Sequence, residues 1–278
     1  MTGRLENLLK VRKTLVMGVV NVTPDSFSDG GRFHDAPAAI SHAFRLAEEG
    51  ADILDIGGES TAPNSRAVSA EEECARVLPV VEACAGRGLF VSVDTYKAET
   101  AGRALDAGAA MVNDVTALRG DGALPDVLAA SDCGVVLMYS KDPTARTTAA
   151  ERAYRDVVAE IAAFLRERMD VAVARGVRRE RIILDPGMGA FVSTDPAPSL
   201  EILRRLAEFH ALGRPVLVGP SRKGFIGKVL DLPVGDRLEG SLACAAVAAW
   251  HGAHIVRAHD VRETVRLVRM VDAIRRIR

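Results

Sequence analysis

Four side chains, Asp94, Asn113, Asp185 and Lys223, each stand at or just beyond the end of a short apolar run. Together they supply acceptors, an amide and a cation. A carboxylate in a pocket accepts two parallel donors, as from an amidine-like N–H/NH2 edge. A 2-amino-4-oxo heterocycle such as a pterin or guanine has that edge, and its carbonyl oxygen suits Lys223. A second group, Asn21, Ser221, Arg222, Arg257 and His259, fits a phosphate-like anion with a metal nearby. Ser221-Arg222-Lys223-Gly224 also opens a helical segment, and helix N-termini attract anions. The chain has no Ser/His/Asp spacing, no HExxH and no GxGxxG followed by a strand-borne acid, and no nucleophile stands out. A heterocycle clamp beside an anion clamp suits displacement of a good leaving group, with the protein supplying position and electrostatics.

These residues need elements that deliver them to one place. The stretch IILDPGMGAF, residues 182–191, shows how: three branched apolar residues end in Asp185, followed by Pro186 and two glycines. The pattern recurs in TLVMGVVN (14–21), DILDIGG (52–58), FVSVDT (90–95), MVNDV (111–115), VVLMYS (135–140), IILDP (182–186), VLVGPS (216–221) and HIVRAH (254–259). These runs lack polar/apolar alternation, which predicts strands buried on both faces of a parallel sheet. Amphipathic segments lie between them: PAAISHAFRLAEEGA, AEEECARVLPVVEACAGRG and SLEILRRLAEFHALG. EEGADILDIGG, DAGAAMVNDVT and WHGAHIVRAHD repeat a helix end, a glycine and a strand, so Gly50, Gly108 and Gly252 are expected as left-handed C-caps. Eight βα units in about 250 residues favour a (β/α)8 TIM barrel, an α/β fold, as a single domain over 1–278. The strands end in Asn21, Glu59, Asp94 with Thr95, Asn113 with Asp114, Tyr139, Asp185, Ser221 with Arg222 and Lys223, and Arg257 with His259. Buried ions without partners are costly, so this set is expected to converge on one pocket at the C-terminal face.

The bulk numbers agree. The chain has 278 residues, 48% hydrophobic and 26% charged, with net charge -1. That balance gives no electrostatic case for nucleic acid or an anionic membrane. MTGRLENLLKVRK has no apolar core of a signal peptide, and no apolar run is long enough to span a bilayer. Cys74, Cys84, Cys133 and Cys244 have no metal-type spacing and read as small buried thiols. A cytoplasmic protein is expected.

With those residues in view, the chain resembles the dihydropteroate synthase family from about Thr14 to the C-terminus. GVVNVTPDSFSDGG (18–31), GGEST (57–61), VSVDT (91–95), VND (112–114), LDPGMG (184–189), GPSRKGFIG (219–227) and RAHDV (257–261) carry the resemblance, in order. It implies condensation of 6-hydroxymethyl-7,8-dihydropterin pyrophosphate with p-aminobenzoate, giving dihydropteroate and pyrophosphate with Mg2+ assisting. Asp94, Asn113, Asp185 and Lys223 would hold the pterin, with Met138 and Phe191 lining its faces. Asn21, Arg257 and His259 would hold pyrophosphate and Mg2+, Asn21 being the metal ligand. Phe27, Thr61, Pro63, Ser221 and Lys223 would border p-aminobenzoate, and the first loop, Thr23 to Gly31, would close over the site. Lys223, Asn21 and Asp94 are the residues expected to carry the reaction. The resemblance also implies a homodimer, through the last helices.

Three positions depart from the family pattern. GGESTRPG reads GGESTAPN, placing Ala62 where an arginine is usual, with Arg66 a candidate substitute. Met-His at the end of the fifth strand reads Met138-Tyr139, and DPGIGFGK reads DPGMGAFVS. All three are expected near the substrate rim. The last is similar to the sulfonamide-insensitive branch of the family, with Phe191 the first candidate for a steric element. The departures keep two alternatives open: a non-catalytic pterin-binding paralogue, and a methyltetrahydrofolate-type methyltransferase barrel.

Overall fold

The computed structural model describes residues 3–10, 13–23, 35–61 and 65–277. Phe27, Pro63, Ala62 and most of the first loop lie outside the described residues.

All eight apolar runs are strands: β1 Leu15–Asn21, β2 Ile53–Gly57, β3 Val91–Asp94, β4 Met111–Asp114, β5 Gly134–Met138, β6 Ile182–Asp185, β7 Leu217–Val218 and β8 Ile255–Ala258. They pair in parallel in the order β6-β5-β4-β3-β2-β1-β8-β7. A parallel bridge between Leu184 and Val216 joins β6 to β7 and closes the ring into a (β/α)8 barrel. The seventh strand is short because Pro215 and Pro220 flank it, and neither has an N–H to give to a ladder.

The helices are α1 Gly3–Lys10, α2 Asp35–Glu48, α3 Ala70–Gly86, α4 Ala98–Asp106, α5 Leu124–Ala130, α6 Val157–Ala174, α7 Pro196–Arg204, α8 Gly224–Leu230, α9 Leu238–Trp250 and α10 Val261–Arg276. The predicted helix over 199–213 is two pieces. It starts earlier, at Pro196, because Asp195 caps the Ala197 N–H at 3.1 Å and proline suits the first helical position. It then breaks at Arg205 into a 3-10 segment, Leu206–Leu212. Gly50, Gly108 and Gly252 have φ of 103°, 106° and 89°, the left-handed turn expected where each helix passes into a strand.

Strand alternation divides the core in two. One set, including Val16, Val20, Leu54, Val91, Val93, Val135 and Leu184, packs outward against the helices. The other, Leu15, Met17, Ile53, Met111, Val136, Ile183, Leu217 and Ile255, fills the barrel's lower interior with Phe90 and Leu5. Leu5 comes from α1, to which the sequence reading gave no structure. Its Cδ2 lies where a side chain on Gly134 would fall, 2.7 Å from an ideal Cβ, so α1 caps the barrel floor. At the same end Asp272 of α10 accepts from the Thr14 N–H at 2.7 Å and from its hydroxyl at 3.0 Å, tying the last helix to the first strand.

Leu5→Ala is expected to remove packing at the floor only. A buried Leu→Ala change costs about 2–5 kcal/mol, and the low end applies at this edge position. The thermal midpoint is expected to fall by roughly 4 °C. An unchanged midpoint in thermal or urea unfolding means that α1 does not seal the barrel.

Candidate functional site

The opposite end of the barrel is charged. Arg257, on β8, reaches across the mouth and donates from Nε to Asp55 Oδ2 at 2.6 Å and from Nη2 to Asp94 Oδ2 at 2.8 Å. Asn113 Nδ2 donates to the same Asp55 oxygen at 2.9 Å. One buried carboxylate thus orients both an arginine and an amide. Asp185 ends β6 beside Met138, its register partner on β5, and one of its oxygens accepts the Gly187 N–H at 2.7 Å. Gly187 has φ of 68°, and a Cβ there would lie 2.4 Å from the Tyr139 carbonyl oxygen, so only glycine lets this loop turn under the carboxylate. Lys223 Nζ donates to the Met188 carbonyl at 3.2 Å and stands 5.1 Å from the Phe191 ring centre. Phe191 and Tyr96 pack on Val115, Met138 and Ala145, an apolar patch at the mouth.

Burial sets the protonation of these groups. Asp94 is raised by burial and then by the Asp55 carboxylate, with Arg257 opposing. Burial lifts Asp185 to about 6, against the pull of Lys223 and the Gly187 N–H. Burial lowers Lys223 to about 8, with Asp185 opposing. Near neutrality the mouth therefore holds groups close to their titration points, as a site built to exchange partners requires.

The second group lies beside it. Ser221 Oγ and His259 Nδ1 are 3.0 Å apart, and the His259 N–H reaches the same hydroxyl at 3.2 Å. Burial, Arg257 and Arg222 lower His259 to about 4, so its ring is neutral at ordinary pH. Asn21 is exposed at the end of β1, lining a groove with Arg222, His259 and Asp260. Arg222 is ion-paired with Asp260 at 2.5 Å, so both arginines of the expected anion set already hold carboxylates. Thr61 is half-buried at the start of the second loop.

Several expected contributors face elsewhere. Asp114 follows inward-facing Asn113 and so points out of the barrel. It accepts from the Thr116 N–H at 2.7 Å, the Thr116 hydroxyl at 2.7 Å and the Leu118 N–H at 2.6 Å, building the loop after β4. Thr95 is engaged by Glu73 at 3.0 Å. Glu59 is bound by Lys97 and Arg146. Tyr139 corrects the expectation of a rim residue. It follows inward-facing Met138, so its ring turns outward onto Phe164 of α6, edge to face at 5.1 Å, with its hydroxyl 3.1 Å from that of Tyr154. Arg66 does not substitute for an arginine at position 62: it pairs with Glu72 at 2.6 Å on the surface.

Sequence reasoning missed Asp55 and Arg146. Asp55 had a signal, a lone carboxylate inside the apolar run ILDIG, which must find a buried partner. Arg146, in the loop after β5, had none, since no local pattern marks a contact with residues 59–66.

Residues 17–259 match the pterin binding enzyme family. The chain is 43% identical to the dihydropteroate synthase of Bacillus subtilis, over 94% of this chain and 89% of that one. It is 44% identical to that of Escherichia coli, over 93% and 90%. Among solved structures, Xanthomonas albilineans dihydropteroate synthase with 4-aminobenzoic acid superimposes with a TM-score of 0.89 at 43% identity, covering 97% of this chain and 95% of that one. The same enzyme in complex with 7,8-dihydropteroate gives 0.85 at 42% identity, covering 97% and 96%. The chain belongs to the pterin-binding enzymes and, among them, to the dihydropteroate synthase family.

Proposed function

We propose that this chain is a transferase of folate biosynthesis, a dihydropteroate synthase that joins 6-hydroxymethyl-7,8-dihydropterin pyrophosphate to p-aminobenzoate. The observation that carries this reading is the mouth itself: Asp94, Asn113, Asp185, Lys223 and Arg257 stand within electrostatic reach of one another, with no nucleophile among them. Asp185 accepts the amino edge of the pterin, Lys223 meets its carbonyl, and Asp94 and Asn113 take the remaining ring donors and acceptors. Met138 and Phe191 bound the ring. The arylamine nitrogen attacks the exocyclic carbon of the pterin as its bond to the pyrophosphate oxygen breaks. The amine proton passes to solvent and pyrophosphate leaves. Arg257, Ser221 and the neutral His259 face the developing negative charge.

The Asn21 carboxamide oxygen is a hard ligand at an exposed strand end, and Mg2+ accepts one protein oxygen alongside phosphate oxygens and water. Asn21 would hold it; bound there, the ion would neutralise leaving-group charge. The Tyr139 departure gives no support to a non-catalytic paralogue, because that ring is spent in packing on α6.

A homodimer is part of the proposal. Val247 and Trp250 of α9, with Met270 and Ile274 of α10 and the adjacent Ile277, leave large apolar side chains exposed on neighbouring helices. Sedimentation is expected to give twice the chain mass of 29.6 kDa, and a monomer at assay concentration overturns this part alone.

Pyrophosphate release is expected to require both p-aminobenzoate and Mg2+; release without the amine overturns the reading. Sulfonamides are expected to inhibit the parent more weakly than is usual in the family, and to inhibit the Phe191→Gly variant more strongly. Equal inhibition of both proteins sinks Phe191 as the steric element.

The free-enzyme pH profile follows from the burial of Asp185 and Lys223. Asp185 must be ionised to accept, so kcat/KM falls as pH drops through about 6. Lys223 must be protonated to donate, so kcat/KM falls as pH rises through about 8. Asp185→Asn puts a donor against donors and is expected to weaken pterin binding by about 2–3 kcal/mol, roughly 30- to 150-fold. Binding as tight as the parent's, measured by calorimetry, removes Asp185 from the clamp.

A further inference from the structure

We propose that Arg146, on the loop between β5 and α6, is the positioning residue for the second βα loop, fixing where Thr61 stands and so how the mouth admits the aromatic amine. The proposal rests on the synthase reading above.

The case begins with charge. Glu59 and Glu73 are both buried, with side chains 3% and 1% exposed. Lys97, three residues beyond Asp94, is shared between them: it binds Glu59 and stands 3.1 Å from Glu73. Glu73 is further satisfied by the hydroxyls of Thr95 at 3.0 Å and Thr100 at 2.7 Å. Among the described residues, Glu59 has besides only the Tyr96 hydroxyl, at 3.3 Å. Arg146 is the fourth member, and its guanidinium pairs with Glu59. With it, two buried carboxylates meet two cations. Without it, both depend on one ammonium, and the Glu59 charge is driven toward water.

The same guanidinium holds the far end of the loop. Arg146 donates from Nε to the Ser65 carbonyl and from Nη2 to the Arg66 carbonyl, each at 3.0 Å. One planar fork therefore grips residue 59 and residues 65–66 at once, which an ammonium cannot reproduce. Arg66 itself adds nothing to this hold, since its side chain points to Glu72.

Arg146 is in turn fixed to the site. Ala145, its neighbour, is buried in the patch formed with Met138 and Val115, on which Phe191 and Tyr96 pack. Lys141 Nζ and the Thr147 hydroxyl each donate to the Ala190 carbonyl at 2.8 Å, and the Lys141 N–H donates to the Phe191 carbonyl at 2.8 Å. The loop after β5 is thus pinned to the Phe191 loop on one side and, through Arg146, to the second loop on the other. On the inner side Gly57 is the register partner of Asp94, so Thr61 follows a short tether from the pterin-facing carboxylate.

The test uses the full-length enzyme with Arg146→Ala and Arg146→Lys. In Arg146→Ala the KM for p-aminobenzoate is expected to rise about tenfold or more, while that for pterin pyrophosphate stays within about twofold. Arg146→Lys is expected to keep the parent's thermal midpoint but not its amine KM. Adding Glu59→Gln to Arg146→Ala removes the surplus carboxylate, and is expected to restore the midpoint while leaving the amine KM high. Without substrates, hydrogen exchange is expected to quicken at 59–66 in Arg146→Ala and to stay unchanged in β2 and β3. An unchanged amine KM overturns the proposal, as does a proportional loss on both substrates tracking the midpoint. Unchanged exchange also overturns it. A parent that shows no amine-dependent turnover sinks the synthase reading instead, and the exchange result still decides whether Arg146 holds the loop.

Discussion

One guanidinium between two carboxylates is the constraint on which the mouth of this barrel depends. Arg257 bonds Asp55 and Asp94 from across the ring, and Asp55 also fixes Asn113. Carboxylates from β2, β3 and β6 would otherwise repel in a confined space, and Lys223 alone could not offset them. The arrangement explains how a site proposed to hold a pyrophosphate leaving group can be so rich in acids. Arg257 is held by carboxylates; in the proposed reaction pyrophosphate competes for it while the pterin's donors take over at Asp94. The two halves of one substrate are then read by groups that already answer to each other.

The barrel divides its labour along its axis. The lower interior is apolar and closed by Leu5, so stability is concentrated where no chemistry occurs. The upper end keeps its ions buried, and described loops there hold one another by charge: Arg146 and Lys97 bind Glu59, and Lys141 binds the Ala190 carbonyl of the Phe191 loop. The loops are therefore part of the charge balance of the mouth rather than covers laid over it.

The fold was legible because eight both-faces-buried strands and their glycine-capped helices are local, periodic signals. Asp94, Asn113, Asp185, Ser221, Lys223 and His259 were legible for the same reason, as polar groups placed where apolar runs stop. Four things were not. Side-chain direction at a strand end depends on a one-residue alternation, so Tyr139 and Asp114 were read as facing the mouth when both turn away from it. Asp55 stands inside a run rather than at its end. Arg146 and Glu59 are 87 positions apart, and only the closed ring brings them together. Helix α1 carried too few residues for its period to show.

The same alternation decides which departures from the family pattern matter. A change at an outward position, such as Tyr139, is absorbed between sheet and helix, where Phe164 and Tyr154 complete its packing and hydrogen bonding. It can alter stability without touching a substrate. A change in a loop that carries charge balance cannot be absorbed in that way. The second loop is held by Arg146 at its described ends, and the loop after β5 is itself pinned to the Phe191 loop. Substitutions in any one of these three loops are then felt in the other two.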